Sequence, residues 1–186
     1  MTDATTSIAR EGEALRKRLR DALRDVPDFP KPGIVFKDIT PILGDAALFR
    51  ATISAMAAPW EESGVTHVAG VESRGFIFGA PLALELRAGF IPIRKPGKLP
   101  WKSAGVEYAL EYGTDRLEMH VDACPAPARV LLVDDVLATG GTAAAACELI
   151  EQVGGTVLGC SFLLSVSGLD GARWLSRRRV ETLLDC

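Results

Sequence analysis

The sequence predicts an α/β fold, with a mostly parallel central sheet and helices on both faces, formed by a single domain over residues 1–186. Three observations predict it. From Thr66 onward, strand-like and helix-like runs alternate, the order that builds parallel βαβ units. The run Arg129 to Val133 is apolar after its first residue, as a strand covered on both faces requires. Short polar turns follow the strand candidates, and in such sheets ligands sit at the carboxyl ends of the strands.

Each element has a local reason. Residues from about Ser7 to Arg24 are rich in Ala, Leu, Arg and Glu, and Ile8, Leu15, Leu19 and Leu23 fall near helical spacing. The stretch Val26 to Gly33 breaks that helix, because closely spaced prolines cannot continue it. Ile34-Val35-Phe36 is a short apolar run, and Asp45 to Ala58 reads as a second helix with Asp45 as its N-cap. Thr66 to Val71 is a strand candidate, Phe76 to Arg87 a helix, and Phe90 to Ile93 a strand. Lys95 to Gly113 is a long polar segment with Pro and Gly, read as a flexible loop over about residues 95–113, partly in hairpin form. Leu117, Met119 and Val121 alternate with Glu118 and His120, as in a half-exposed strand. After Arg129 to Val133 a helix runs to a stop at Gly154-Gly155, and Thr156 to Ser165 is a further strand.

Composition narrows the class. A net charge of −3 gives no global attraction to nucleic acid. No apolar stretch approaches the ~20 residues that a membrane span needs, and the polar opening Met1 to Arg20 lacks the apolar core of a secretory signal. Cys124, Cys147, Cys160 and Cys186 are widely spaced and the two His residues offer no metal-like spacing, so reduced thiols in a cytoplasmic protein are expected. Trp60, Trp101 and Trp174 are scattered, and Arg177-Arg178-Arg179 reads as a solvated surface.

Chemistry concentrates at Val130 to Thr142, where the apolar run ends in Asp134-Asp135 and a Thr-Gly-Gly-Thr turn opens a helix. Backbone N–H groups and the positive end of that helix suit a phosphate, and the acidic pair suits sugar hydroxyls or a metal. No Lys follows the glycines, as an ATP-binding P-loop requires. No G-x-G-x-x-G is present, as a dinucleotide site requires. An ordinary βα turn explains neither the paired Asp nor the two hydroxyls.

Three further segments stand out. Glu72-Ser73-Arg74-Gly75 is either a second anion loop built on Arg74 or a plain polar turn. Arg94 to Lys102 packs four cations into a Pro/Gly-bounded loop that closes over a polyanion or is simply solvated, with Glu111 and Tyr112 on its far side. Phe29 to Thr40 is either a rigid shelf for a flat heterocycle, stacking on Phe36 with backbone amides near Val35 and Lys37, or a packed connector.

The segment Val130 to Thr142 resembles the fingerprint of the type I phosphoribosyltransferases, which bind phosphoribosyl pyrophosphate (PRPP). Phe29–Leu43, Val71–Ala80, Arg94–Pro100 with Leu110–Gly113, and Val130–Thr142 together resemble the adenine phosphoribosyltransferase family, in order and spacing, over roughly residues 10 to 165. The resemblance implies the type I phosphoribosyltransferase fold, with an N-terminal hood segment over about residues 25–42. It implies transfer of the 5-phosphoribosyl group from PRPP to adenine, giving AMP and pyrophosphate. Mg²⁺ would arrive carried by PRPP, without direct protein ligands, and the chain would be a homodimer with neither nucleic acid nor membrane as partner.

Position by position, the resemblance implies that Phe36 stacks on adenine. The backbone at Val35 and Lys37 reads its edge, and Val136 covers the opposite face. Arg74, Lys95 and Lys98 would bind pyrophosphate, and Arg94 would reach the neighbouring subunit's site. Asp134 and Asp135 would contact ribose, while Ala138, Thr139, Gly140, Gly141 and Thr142 hold the 5′-phosphate. Glu111 would be the acid/base near the purine N7, Tyr112 would help close the loop, and Arg74 would join them in catalysis. The pattern departs at Ser165 and Ala172, where many members carry Glu and Arg, and at Lys37, which replaces an Arg of some members. A 6-oxopurine transferase and a PRPP-sensing regulator are the competing expectations. The base shelf argues against the first, and the Asp134-Asp135 pair with Glu111-Tyr112 against the second.

Overall fold

The computed structural model describes residues 3–110 and 113–186. These fall into two compact units, Met1–Ala55 and Met56–Cys186.

The first unit opens with α1 (Asp3–Ala22), a charged helix that buries Leu19 completely. Two four-residue strands follow, β1 (Arg24–Pro27) and β2 (Val35–Asp38), paired antiparallel with Val26 opposite Phe36. The proline-rich stretch is thus the connection of a short hairpin. Asp28 adopts φ 59° there and accepts the Gly33 N–H at 2.7 Å, which fixes the reversal. Such short strands lie below what periodicity reveals. The helix α2 (Thr40–Gly44), with Pro41 in its first turn, was equally hidden. The expected N-cap is present: Asp45 Oδ1 accepts the N–H groups of Ala47 and Leu48, both at 2.9 Å, and starts α3 (Ala46–Ala57).

The second unit is built on five parallel strands in the order β4-β3-β7-β8-β9. They are β3 (His67–Val71), β4 (Gly89–Ile93), β7 (Arg129–Leu137), β8 (Thr156–Ser165) and β9 (Arg179–Asp185). The helix α4 (Arg74–Glu85) packs against β3, β4 and β7, and α5 (Gly141–Gln152) against β7 and β8. Along β7 the apolar side chains divide between the two faces. Val130 and Leu132 join Ala146, Leu149 and Ile150 of α5 in one cluster, while Leu131 and Val133 alternate away from it. All four are fully buried, so the unbroken apolar run is a strand covered on both faces.

The polar segment before β7 is more ordered than a loop. It forms an antiparallel hairpin of β5 (Ser103–Leu110) and β6 (Gly113–His120), with Ser103 opposite His120. Val106, Leu117 and Met119 point into the core and anchor it, whereas Val121 is half exposed beyond the strand. The C-terminal strand β9 was not anticipated. Its neighbourhood also revises the solvated reading of the arginine run, because Arg178 pairs with Glu151 at 2.7 Å and Arg179 lies 4.5 Å from the centroid of the buried Trp60 ring.

Candidate active site

The carboxyl end of β7 builds the site. Asp134 and Asp135 are consecutive, so their side chains leave opposite faces of the strand. Asp135 is buried and lies 2.7 Å from Arg74 Nε, at the start of α4. The contact is an ion pair by distance, not an aligned hydrogen bond. Asp134 Oδ1 accepts the Asp135 N–H at 2.9 Å. Burial pushes the Asp134 carboxyl well up, and the neighbouring Asp135 charge adds to the shift. Burial raises Asp135 too, against the pull of Arg74. The pair therefore resists carrying two full negative charges, and it would gain from cationic character arriving nearby.

The turn Ala138-Thr139-Gly140 then swings the chain into α5. Gly140 holds φ +83°, which favours glycine. A Cβ there would also collide with the carbonyl oxygen of Gly171, and a Cβ on Gly171 with that of Ala138. The first helical bond runs from the Ala144 N–H to the Gly140 carbonyl at 2.9 Å, so the N–H groups preceding it have no helical partner. A cleft of about 230 Å³ opens at this point. Arg74, Asp134, Asp135, Val136, Ala138, Thr139, Gly140 and Thr142 all line it, while Gly141 does not reach its wall.

The other site candidates of this unit lie at the end of β4. Arg94 donates twice to the Glu72 carboxylate, Nε to Oε2 and Nη2 to Oε1, both at 3.2 Å, and Nη1 donates to the Lys98 carbonyl at 3.0 Å. The Lys95 N–H also donates to Glu72, at 3.0 Å. That backbone bond first, and Arg94 second, hold the Glu72 carboxyl below the ordinary range. Lys95 Nζ is bound by Asp115, while the Lys98 side chain is exposed. In the first unit Val35 is exposed, Phe36 is half-buried with its ring 5.2 Å and edge-on from Phe29, and Lys37 Nζ pairs with Asp25 at 2.7 Å. Glu111 and Tyr112 lie outside the described residues.

Sequence reasoning missed several participants. Asp115 and Tyr108 form part of the Lys95 contact network. Gly171 forms a wall of the turn at Gly140. Ser165 donates its hydroxyl to Asp185, directly opposite it on β9, so a carboxylate stands beside one of the departures from the family pattern. Ala172 is exposed in the short 3₁₀ turn Gly171–Leu175. No local signal in the chain joins Ser165 to Asp185 or Gly140 to Gly171.

A parallel sheet with an acidic pair and a glycine turn at the carboxyl end of its middle strand defines the phosphoribosyltransferase class. The phosphoribosyl transferase domain model matches residues 47–177. The adenine phosphoribosyltransferase of Myxococcus xanthus is 60% identical over 166 residues, covering 89% of this chain and 90% of that protein. The crystal structure of adenine phosphoribosyltransferase from Rhodothermus marinus aligns with TM-score 0.89 and 51% identity, over 94% of this chain and 99% of that one. That of the Saccharomyces cerevisiae enzyme, complexed with D-2,5-dideoxy-2,5-imino-altritol 1,6-bisphosphate and adenine, aligns with TM-score 0.88 and 41% identity, over 92% of this chain and 99% of that one. The chain belongs to the adenine phosphoribosyltransferase family.

Proposed function

We propose that this chain transfers the 5-phosphoribosyl group of PRPP to adenine, giving AMP and pyrophosphate, as in purine salvage. The observation that carries the reading is the cleft at the end of β7, where two carboxylates meet the open N-terminus of α5 and Arg74. The names of the relatives, and the adenine bound to the yeast enzyme, support the choice of base.

Displacement of pyrophosphate from the anomeric carbon passes through an oxocarbenium-like state, with negative charge growing on the leaving group. Asp134 and Asp135 hold the ribose hydroxyls and favour the cationic sugar. Ala138, Thr139, Gly140, Gly141 and Thr142 hold the 5′-phosphate with backbone N–H groups and hydroxyls. Arg74, Lys95 and Lys98 take the growing charge on pyrophosphate. Phe36 stacks on the base, with the backbone at Val35 and Lys37 reading its edge. Glu111 and Tyr112 act as acid/base and as a closing element, which keeps water from PRPP.

Mg²⁺ would be carried by PRPP, and it would supply charge that offsets the diphosphate. The acidic cleft is compatible with an ion whose ligands would be substrate oxygens and water. Among the described residues no group of three or more His, Cys, Asp or Glu gathers to hold a metal.

A single working domain of residues 1–186, acting as a cytoplasmic homodimer, completes the proposal. The four free thiols suit a reducing compartment. No helix among the described residues is long and apolar enough to cross a membrane. On α4, Ile77 and Leu84 are exposed two turns apart, an apolar stripe that a second copy would cover. Arg94 would turn from Glu72 towards the neighbouring site in that assembly.

Incubation of the purified protein with PRPP, Mg²⁺ and each of adenine, hypoxanthine, guanine and xanthine tests the reaction. AMP from adenine alone is the expected result. Turnover of a 6-oxopurine in its place would overturn the base assignment, and no product from any base would overturn the enzyme reading in favour of a regulator.

A further inference from the structure

Lys95, at the end of β4, is not free to meet a ligand. Its ammonium is bound by Asp115, the third residue of β6. Tyr108 stands directly opposite Asp115 in the hairpin register, and its hydroxyl donates to the same Oδ2 at 3.1 Å. The Lys95 ammonium lies 6.0 Å from the centre of the Tyr108 ring. The Tyr108 hydroxyl accepts in turn from Thr142 Oγ1 at 3.3 Å. One chain of contacts thus runs from a lysine assigned to pyrophosphate, across the hairpin, to a threonine assigned to the 5′-phosphate.

We propose that Asp115 is a built-in counter-ion that holds Lys95 in the ligand-free enzyme and competes with pyrophosphate for it, so weakening the grip on this product. The inference rests on the assignment of Lys95 to pyrophosphate. Asp115 presents one negative charge at the ammonium, and Tyr108 aligns the carboxylate by its hydrogen bond. Both partners stay ionised near neutrality. The bond from Lys95 holds the Asp115 carboxyl below its ordinary range, and Asp115 raises Lys95 against the effect of burial. Pyrophosphate carries more charge than a carboxylate and displaces it. Breaking the Lys95–Asp115 pair takes up part of the binding free energy, which lowers affinity and favours release. Asp115 is therefore a positioning residue that acts through Lys95.

Titration calorimetry with pyrophosphate and Mg²⁺ on the full chain tests this. Asp115→Asn is expected to bind pyrophosphate about three- to tenfold tighter, the scale of one partly exposed charge. Asp115→Glu, which keeps the charge, should stay near the parent value. A merely structural role would loosen the hairpin and weaken binding. Asp115→Ser also removes the charge and serves if the Asn variant folds poorly by circular dichroism. Unchanged or weaker affinity in a folded charge-removed variant overturns the proposal. So does tightening that persists in the Lys95→Gln/Asp115→Asn double variant, because competition requires Lys95. Lys95→Gln alone separates the two ideas. If it weakens pyrophosphate binding while Asp115→Asn changes nothing, only the counter-ion falls. If it has no effect, the assignment of Lys95 falls and the counter-ion with it.

Discussion

Two residue-scale features set the chemistry of the cleft, and each makes a prediction. Gly140 combines a left-handed backbone with contact against the Gly171 carbonyl. Gly140→Ala meets a conformational cost of about 1–2 kcal/mol plus a backbone collision. It should lower the melting temperature and raise the KM for PRPP, by thermal melts and initial rates. A variant with parent KM and stability would show that the turn moves freely. Asp134 supplies the second prediction. Its carboxyl is raised by burial first and by Asp135 second. Above the ordinary value of 3.8 the unfolded chain ionises this group more readily than the fold does, so the group destabilises the fold as pH rises towards its folded value. Asp134→Asn should therefore melt higher than the parent near pH 8, with the gain shrinking as pH falls towards 3.8. The same change should cost kcat/KM about tenfold to a hundredfold through lost transition-state stabilisation. Loss of both stability and activity would mean that Asp134 is structural.

At the scale of elements, caps and buried strands carry the fold. Asp45 was legible as an N-cap because its signal is local, a short acid immediately before an apolar helical run. Asp45→Ala removes two bonds to N–H groups of α3 and should cost about 1 kcal/mol, read from urea unfolding. Leu131 is fully buried on the face of β7 away from the α5 cluster. Leu131→Ala should cost about 2–5 kcal/mol, as a lower urea midpoint with an unchanged m-value. A loss below ~1 kcal/mol would place Leu131 in a site that collapses easily. Other elements were less legible for reasons of length and partner. β1 and β2 have four residues each, too short for alternation to stand out. β5 reads as a polar loop because only Val106 is a large apolar anchor within Ser103 to Tyr108, and its pairing with β6 supplies the rest. β9 lies against β8, and its Val-Glu-Thr-Leu-Leu run is preceded by arginines that suggest surface.

For the whole chain, opposite electrostatic arrangements share one sheet end. Glu72 and Asp115 are held below their ordinary values, Glu72 mainly by the Lys95 N–H and Asp115 mainly by the Lys95 side chain. The stability they contribute is fully present above 4.5 and 3.8, their unfolded values, and is lost as pH falls through the folded ones. Asp134 and Asp135 act in the other direction. Removing Glu72 by Glu72→Gln should therefore flatten the acid limb of a stability-against-pH curve, measured by urea titration from pH 3 to 7. An acid limb identical to the parent's would show that Glu72 contributes nothing there.

The sequence by itself determined the α/β alternation, the buried middle strand, the Asp45 cap and the acidic pair with its glycine turn. Each of these rests on residues within about a dozen positions of one another, where periodicity, capping and turn chemistry act. Only the tertiary structure decided that Arg74 meets Asp135, that Gly171 walls the Gly140 turn, that Ser165 faces Asp185, and that Asp115 holds Lys95. Those contacts join positions from 20 to 61 residues apart, as their numbering shows. Which distant side chains come to share a cleft follows from strand order and register in the assembled sheet, and no local pattern in the chain specifies that order.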